Sequence, residues 1–181
     1  MPEVLKLFLD RLATPIGEML LVTDAAGKVR ALDWNDYEPR MQALLDRHYG
    51  KGRCTLEPAR NTHALRERIG RYFAGEVTAI DQIAVETTGT AFQRSVWNEL
   101  RNIPVGTSIS YGTLAQRIDR PKAVRAVGLA NGSNPIGLIV PCHRVIGADG
   151  SLTGYGGGLE RKKWLLDHER MHTKGASLFA A

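Results

Sequence analysis

The sequence predicts a mixed α/β fold in two parts, a small N-terminal β-sheet with helices followed by a mostly helical C-terminal part. Apolar runs separated by turn residues fill roughly the first 35 positions, and helical periodicity dominates after residue 90. A length of 181 residues fits one domain or two compact ones. We place the boundaries at residues 1–86 and 87–172, with a short tail, 173–181, that is expected to fray.

The first part begins as a β-meander. The run VLKLFLDRL alternates toward a period of two, and EMLLVTD and KVRALDW follow after the turns TPIG and DAAG. Residues 38–49 and 62–73 have helical spacing, and residues 54–56 form a short strand between them. Residues 76–89 combine short strand-like pieces with loop, and we expect them to link the two parts.

Helices dominate the second part. Thr90 and Gln93 are spaced as a capping box, which predicts a helix reaching about residue 102. Two further helices, over 111–118 and 122–131, flank the break Asp119-Arg120-Pro121. Short helices joined by such a break form the helix-turn-helix pattern, although any small helical hairpin looks similar. A last amphipathic helix is predicted over residues 159–171.

The charge is divided unevenly between the two parts. Residues 1–86 carry 12 basic and 13 acidic side chains, whereas residues 87–181 carry 12 basic and 6 acidic ones, so the whole net charge of +5 arises in the second half. This distribution is compatible with a polyanionic partner such as nucleic acid, and equally with a basic surface that has no partner.

Composition excludes several other classes of protein. The two cysteines are too few for a disulfide scaffold or a Cys-only zinc site. No apolar run approaches the roughly 20 residues of a membrane span, and the first residues do not read as a signal peptide. We therefore expect a cytoplasmic protein with reduced thiols.

The run LIVPCHRV carries the candidate chemistry. Residues 138–140 are predicted as a buried strand that leads through Pro141 to Cys142. The reactive form of cysteine is the thiolate, so Cys142 needs a proton acceptor, and His143 follows directly. A nucleophile with a base requires a carboxylate to orient the base, for which Glu169 and Asp149 are both candidates.

The alternative is a structural cysteine. Lone buried cysteines are usually small apolar side chains, and adjacent side chains in a strand face opposite ways. Cys54 has no such neighbours and is taken as structural.

Two glycine-rich segments, 131–135 and 153–158, flank the run LIVPCHRV. They match neither GxGxxG nor GxxxxGK[ST], so nucleotide binding is disfavoured, and their composition agrees better with a loop that contacts a flat base.

The cysteine segment strongly resembles the active-site signature of the bacterial-type O6-alkylguanine-DNA alkyltransferases, also called methylated-DNA–protein-cysteine methyltransferases. Other segments match in the family's order: Pro104-x-Gly106, Ser110-Tyr111-Gly112, Ala123-x-Arg125-Ala126-Val127-Gly128, Tyr155-x-Gly157-Gly158 and Lys163-Trp164-Leu165-Leu166-x-His168-Glu169. The close resemblance covers about residues 88–170, and the N-terminal part matches more loosely, for example at Tyr72-Phe73-Ala74-Gly75. Several spaced motifs together make the resemblance specific.

The resemblance implies a ribonuclease H-like N-terminal part and a winged-helix-like C-terminal domain that carries the active site. It implies a single transfer of an alkyl group from guanine O6 to Cys142, which becomes a thioether that nothing regenerates. His143 takes the thiol proton through a water, and Glu169 holds the far nitrogen of the imidazole. Tyr111 is similar to the residue that donates to the departing guanine. Neither a metal nor a cofactor is needed.

The resemblance also implies contacts with DNA. The helix of Arg125 enters the minor groove, and Arg125 fills the gap that a flipped base leaves. Asn134 is similar to the hinge residue between that helix and the active-site turn. The backbone carbonyls of Cys142 and Val145 accept from the guanine amino group. Other residues expected to contact substrate or phosphate are Tyr155, Gly156, Lys122 and Arg94.

Gly156 departs from part of the family, in which some members carry a serine whose hydroxyl can bond the guanine oxygen. The missing side chain suggests a roomier pocket and acceptance of alkyl groups bulkier than methyl. O4-alkylthymine is a second substrate that the resemblance suggests.

The expected partner is double-stranded DNA containing O6-alkylguanine, bound by a monomer without membrane contact; cooperative binding is left open. Three other hypotheses are weaker. A DNA-binding relative without transfer chemistry would lack Cys142. A Cys-His-Glu hydrolase or amidase leaves the basic half unexplained, and a transcription factor leaves LIVPCHRV unexplained.

Overall fold

A computed structural model describes the backbone of residues 4–178 and the side chains of residues 4–173. The first three strands, β1 (Leu5–Thr14), β2 (Gly17–Thr23) and β3 (Val29–Trp34), form the antiparallel meander that the sequence predicts. A fourth strand, β4 (Cys54–Pro58), pairs in parallel with β1, so the strand order is β3-β2-β1-β4. The chain between β3 and β4 contains the helix α1 (Glu38–Tyr49), which makes the crossover that this order requires.

The strand β2 connects two layers of core. Residues 19–22 of this strand are fully buried. Because side chains alternate along a strand, Leu20 and Val22 pack in a cluster with Met41 of α1, whereas Met19 and Leu21 join the larger core shared with the C-terminal part. The sheet is thus covered on both faces, which explains its continuous apolar runs.

The helices of the first part lie where their periodicity predicts them. The helix α1 has the predicted bounds, and Gly50 follows it with a φ of 95°, a backbone conformation that glycine adopts without strain. The helix α2 (His63–Phe73) begins one residue later than predicted and buries Ile69 and Tyr72.

The segment 76–89 consists of turns with a single parallel bridge between Val85 and Val29. It is a packed connection, because Val77, Ile80 and Ile83 are buried in the larger core. The division of the chain after residue 86 stays a prediction.

The helices of the second part confirm the predicted pattern. The helix α3 (Ala91–Leu100) begins with the capping box, in which the Gln93 amide donates to the Thr90 hydroxyl at 3.1 Å and the Thr90 amide donates to the Gln93 side chain at 3.0 Å. The helices α4 (Tyr111–Arg117) and α5 (Val124–Gly132) then pack against each other across the predicted break.

The predicted strand at residues 138–140 is wrong. The segment is a buried turn in which the Val140 amide donates to the Ile136 carbonyl and Leu138 has a φ of 66°. A short apolar run indicates burial but does not distinguish a strand from a buried turn. Strand pairing occurs just beyond it, where β6 (Val145–Ile146) runs parallel to β5 (Ile109–Ser110). This pair, which was not predicted, holds the segment after the cysteine against the start of α4.

The last helix, α6 (Leu159–Leu178), continues past its predicted end at residue 171. The tail expected to fray from residue 173 therefore starts within a helix, and residues 179–181 lie outside the described residues. Between residues 4 and 178, no helix is both long enough and apolar enough to cross a bilayer.

Candidate active site

Cys142 begins a short 3-10 turn (Cys142–Arg144) at the end of the buried turn. The side chain of Asn134 holds that buried turn together, because Nδ2 donates to the Val140 carbonyl at 2.8 Å and Oδ1 accepts from the Ile136 amide at 3.0 Å. Asn134 is 1% exposed, so its loss would leave backbone groups unpaired in the core. The residue expected as a hinge therefore fixes the backbone that presents the cysteine.

The thiol of Cys142 is buried, with 7% of the residue exposed. Burial raises the pKa of this thiol, because a low-dielectric environment disfavours the thiolate. The Asn134 amide and the positive charges of Arg40 and Lys162 act in the opposite direction. The raised pKa means that Cys142 is a thiol at neutral pH and needs a proton acceptor in order to react.

A buried network with Glu169 at its centre lies beside the cysteine. Nε2 of His143 is 2.8 Å from Oε1 of Glu169. Arg144 donates from Nε to Oε2 and from Nη2 to Oε1 of the same carboxylate, both at 2.9 Å. The hydroxyl of Tyr72 adds a bond to Oε1 at 2.9 Å. Four donor atoms from three residues, two in the 3-10 turn and one on α2, thus converge on one carboxylate that has no exposed surface.

The structure brings Glu169, and not Asp149, to His143. Asp149 is exposed, and its carboxylate accepts from the hydroxyl of Ser151 at 2.6 Å. The choice that sequence spacing left open is therefore settled by the docking of α6 against the 3-10 turn.

The protonation states within the network follow from burial and charge. Burial alone would raise the pKa of the Glu169 carboxyl, but His143 and Arg144 hold it well below its ordinary range. Burial lowers the pKa of the His143 imidazole, in spite of the neighbouring carboxylate. A neutral imidazole next to a carboxylate donates from Nε2, which leaves Nδ1 as an acceptor. Among the described residues, the buried Nδ1 has no hydrogen-bond partner.

The sequence did not predict the role of Lys162. Lys162 is fully buried and donates from Nζ to the carbonyls of Val145 at 2.6 Å and Thr153 at 2.9 Å. Burial lowers the pKa of Lys162 to about 8. The sequence contained a pattern that could have predicted this role, because Lys162 lies two helical turns before Glu169 and therefore on the same face of α6.

Tyr111 is the first residue of α4, and its hydroxyl donates to the Thr153 carbonyl at 3.1 Å. Its ring packs on α5, where a Cβ added to Gly128 would lie 3.8 Å from a ring carbon. Tyr111 and Lys162 thus hold the same carbonyl, and together they bring the glycine-rich loop 153–158 to the cysteine segment.

The extra room expected at Gly156 is absent. A Cβ added to Gly156 would lie 2.7 Å from both Nε and Nη2 of Arg40, so the guanidinium occupies the space of the missing side chain. Arg40 is in the first turn of α1, and nothing in the sequence connected it with this loop. The neighbouring Tyr155 is half-buried and belongs to the core shared by both parts.

The residues expected to contact DNA lie on the surface. Arg125, on α5, and Lys122, just before it, are exposed, and their side chains make no hydrogen bond to the part of the protein that the structure describes. Arg94 is also exposed, but its guanidinium donates to the Gly89 carbonyl. In the part of the chain that the structure describes, no cluster of His, Cys, Asp and Glu side chains could hold a metal ion.

Comparison with known proteins gives consistent matches. A family profile described as the DNA-binding domain of 6-O-methylguanine DNA methyltransferase matches residues 91–171. The methylated-DNA–protein-cysteine methyltransferase of Shigella flexneri is 48% identical over 166 residues, which cover 92% of this chain and 97% of the relative. The protein of the same name from Mycolicibacterium paratuberculosis is 59% identical over 107 residues, 59% of this chain and 64% of the relative.

Solved structures show the same mixed α/β fold. The crystal structure of Mycobacterium tuberculosis OGT in complex with DNA superposes with a TM-score of 0.75 and 39% identity, covering 92% of this chain and 94% of that one. An O6-methylguanine-DNA methyltransferase from the archaeon Pyrococcus kodakaraensis has a TM-score of 0.66 and 27% identity, covering 90% and 98%. The range of this chain that the family profile matches, residues 91–171, includes both Cys142 and Glu169. Because 48% identity to the Shigella flexneri protein extends over 92% of this chain and 97% of that relative, the chain belongs to the methylated-DNA–protein-cysteine methyltransferase family.

Proposed function

We propose that this protein repairs DNA by flipping O6-alkylguanine out of the duplex and transferring the alkyl group to Sγ of its own Cys142. The transfer is irreversible and stoichiometric, and it restores guanine. The observation that carries the proposal is a buried thiol followed directly by His143, whose Nδ1 is free to accept a proton. Membership of the family supports the same chemistry.

The transfer begins with the removal of the thiol proton. Nδ1 of His143 takes this proton through a bridging water, and Glu169 stabilises the resulting imidazolium through Nε2. Sγ then attacks the alkyl carbon, so an S–C bond forms while the bond from that carbon to O6 breaks. The electron pair of the broken bond stays on guanine, where the hydroxyl of Tyr111 leaves the Thr153 carbonyl and donates to the base. The proton lost by the thiol balances the proton gained by guanine.

The product explains why the protein would act once. The S–C bond of the thioether is stable in this site, because breaking it would require a nucleophile to attack the alkyl carbon and expel the Cys142 thiolate, a poor leaving group from an unactivated sp³ carbon. A hydrolase with the same Cys-His-Glu arrangement would instead form a thioester intermediate that water hydrolyses. Stoichiometry therefore separates the two functions.

The helix-turn-helix supplies the interface with DNA. The base must leave the stack to reach a buried sulfur, and unstacking costs a few kcal/mol. Arg125 is exposed on α5 and fills the gap in the stack from the minor groove, while Lys122 contacts phosphate. The carbonyls of Cys142 and Val145 accept from the guanine amino group. The Val145 carbonyl already accepts from Lys162, and the Cys142 carbonyl accepts from the Val145 amide and, at 3.4 Å, from Asn131, a long bond that the guanine amino group would replace.

The decisive experiment uses intact mass. The protein is mixed with duplex DNA containing one O6-methylguanine, and a gain of one methyl group per protein is expected. The gain should persist in Cys54→Ala, the matched thiol control, and disappear in Cys142→Ala. Multiple turnovers, or no adduct, would contradict the proposal.

The role of Arg125 in base flipping has its own test. Arg125→Ala should slow repair of the duplex far more than reaction with a free base analogue, and equal losses would exclude a role in flipping.

The same proposal includes finer features that the family resemblance suggests. The protein acts as a monomer in the cytoplasm, and O4-alkylthymine is its second substrate. The sheet part is related to ribonuclease H-like folds and the helical part to winged helices. Transfer from O4-methylthymine in the mass assay tests the substrate directly.

A further inference from the structure

Arg40 is fixed in place by acceptors from two parts of the molecule. Nη1 donates to Oδ2 of Asp33 at 2.5 Å, and this carboxylate is only 4% exposed. Nη2 donates to the carbonyl of Gly132, at the end of α5, at 2.9 Å and to that of Asn134 at 3.4 Å. A guanidinium held by three acceptors presents a rigid plane, because its movement would leave a buried carboxylate without its charge partner.

The guanidinium of Arg40 lies against the glycine-rich loop 153–158 at Gly156. Its Nε and Nη2 atoms lie where the side chain of residue 156 would start, so a local side chain is replaced by one from the distant helix α1. Its positive charge also acts to lower the pKa of the Cys142 thiol, against the larger effect of burial. The guanidinium therefore lies against Gly156 of the glycine-rich loop and within electrostatic range of the cysteine.

We propose that Arg40 is the wall of the alkyl pocket at Gly156 and that it limits the size of the alkyl group that can be transferred. This inference rests on the proposed function of Cys142 as the alkyl acceptor. A methyl group needs no space beyond the reacting carbon, whereas a benzyl group must extend beside it. A wall held by an ion pair cannot yield as a flexible apolar side chain would, so it discriminates by size.

The test compares rates of transfer from duplex DNA carrying O6-methylguanine or O6-benzylguanine. In Arg40→Ala the benzyl-to-methyl rate ratio should rise about tenfold, the effect expected of opening a pocket by a few methylene volumes. Arg40→Met retains much of the volume but is flexible and lacks the ion pair with Asp33, so its ratio should rise, though by less than that of Arg40→Ala. Arg47→Ala, an exposed arginine of the same helix, is the matched control and should change neither rate.

A double variant makes the test sharper. Serine at position 156 clashes with Arg40 but fits once the guanidinium is gone, so Arg40→Ala/Gly156→Ser should return the ratio toward the wild-type value. If Arg40→Ala does not fold, Arg40→Lys, which removes the planar fork, serves in its place and should also raise the ratio. A lower methyl rate with an unchanged ratio would overturn the proposal and leave Arg40 as a support of the hinge. Failure of the wild type to accept methyl would instead refute the proposed function.

Discussion

Replacing Glu169 by glutamine keeps the shape of the side chain and removes its charge. Four donor atoms from His143, Arg144 and Tyr72 currently converge on the carboxylate within 2.9 Å. After Glu169→Gln, the guanidinium of Arg144 is buried without a counter-charge, and the amide nitrogen of the glutamine faces donors. Removing one partner of a buried ion pair typically costs about 3–5 kcal/mol. We expect the free energy of unfolding to fall by that amount.

Urea unfolding at pH 7, followed by circular dichroism, measures this loss. Arg144→Met in the same background supplies the control, because the double variant no longer holds an unpaired charge. Its total loss should be clearly smaller than the sum of the two single losses. A loss of less than about 1 kcal/mol in Glu169→Gln would refute the view that the network carries a buried ionised carboxylate.

The same variant tests the sign of the pH dependence. The pKa of Glu169 is well below its ordinary value of 4.5 in the folded protein, whereas the unfolded chain has the ordinary value. Its contribution to stability is therefore complete above about pH 4.5 and is lost as the pH falls below that value. The stability of the wild type should decline more steeply in this range than that of Glu169→Gln. Parallel pH profiles would contradict the assignment.

Three further predictions address the surroundings of the cysteine and the DNA interface. Lys162→Met leaves two buried carbonyls without a donor and should lower the free energy of unfolding by about 1–3 kcal/mol per carbonyl. Because burial lowers the pKa of Lys162 to about 8, the stability of the wild type should rise between pH 8 and pH 10, and that of the variant should not; urea titrations at both values decide this. Tyr111→Phe should slow methyl transfer about a hundredfold with little effect on stability, and an unchanged single-turnover rate would exclude it as a donor. Lys122→Ala and Arg94→Ala should each reduce the slope of log affinity against log salt by about one, because each would remove one phosphate contact; a slope equal to that of the wild type would show that the replaced residue does not meet phosphate.

Local sequence patterns predicted most of the fold. The three-stranded meander, the helix over residues 38–49 and the capping box at Thr90 each depend on residues a few positions apart, and each is confirmed. The strand prediction for residues 138–140 was wrong, because three consecutive apolar residues indicate burial but do not determine the backbone conformation. The pairing of β5 with β6 was missed because two-residue strands carry no periodicity.

The cysteine site was only partly predictable for a related reason. Cys142 and His143 are adjacent in the chain, so their combination is visible in the sequence. Glu169 could not be separated from Asp149, because both are downstream carboxylates and only tertiary packing selects one. Arg40 comes from about a hundred residues before the cysteine, and no local pattern could associate it with a glycine in another loop.

The burial of Cys142 bears on the proposed single transfer to its sulfur. A raised pKa keeps the sulfur protonated at neutral pH, and a thiol reacts slowly with oxidants and stray electrophiles. The proposed proton acceptor, Nδ1 of His143, is buried as well, so both groups are shielded from solutes in the solvent. Slow activation would be a disadvantage for an enzyme with many turnovers. For an acceptor that is consumed by its first reaction, as we propose for Cys142, selectivity decides how many protein molecules remain for damaged DNA, and a buried neutral thiol beside an oriented imidazole favours that selectivity.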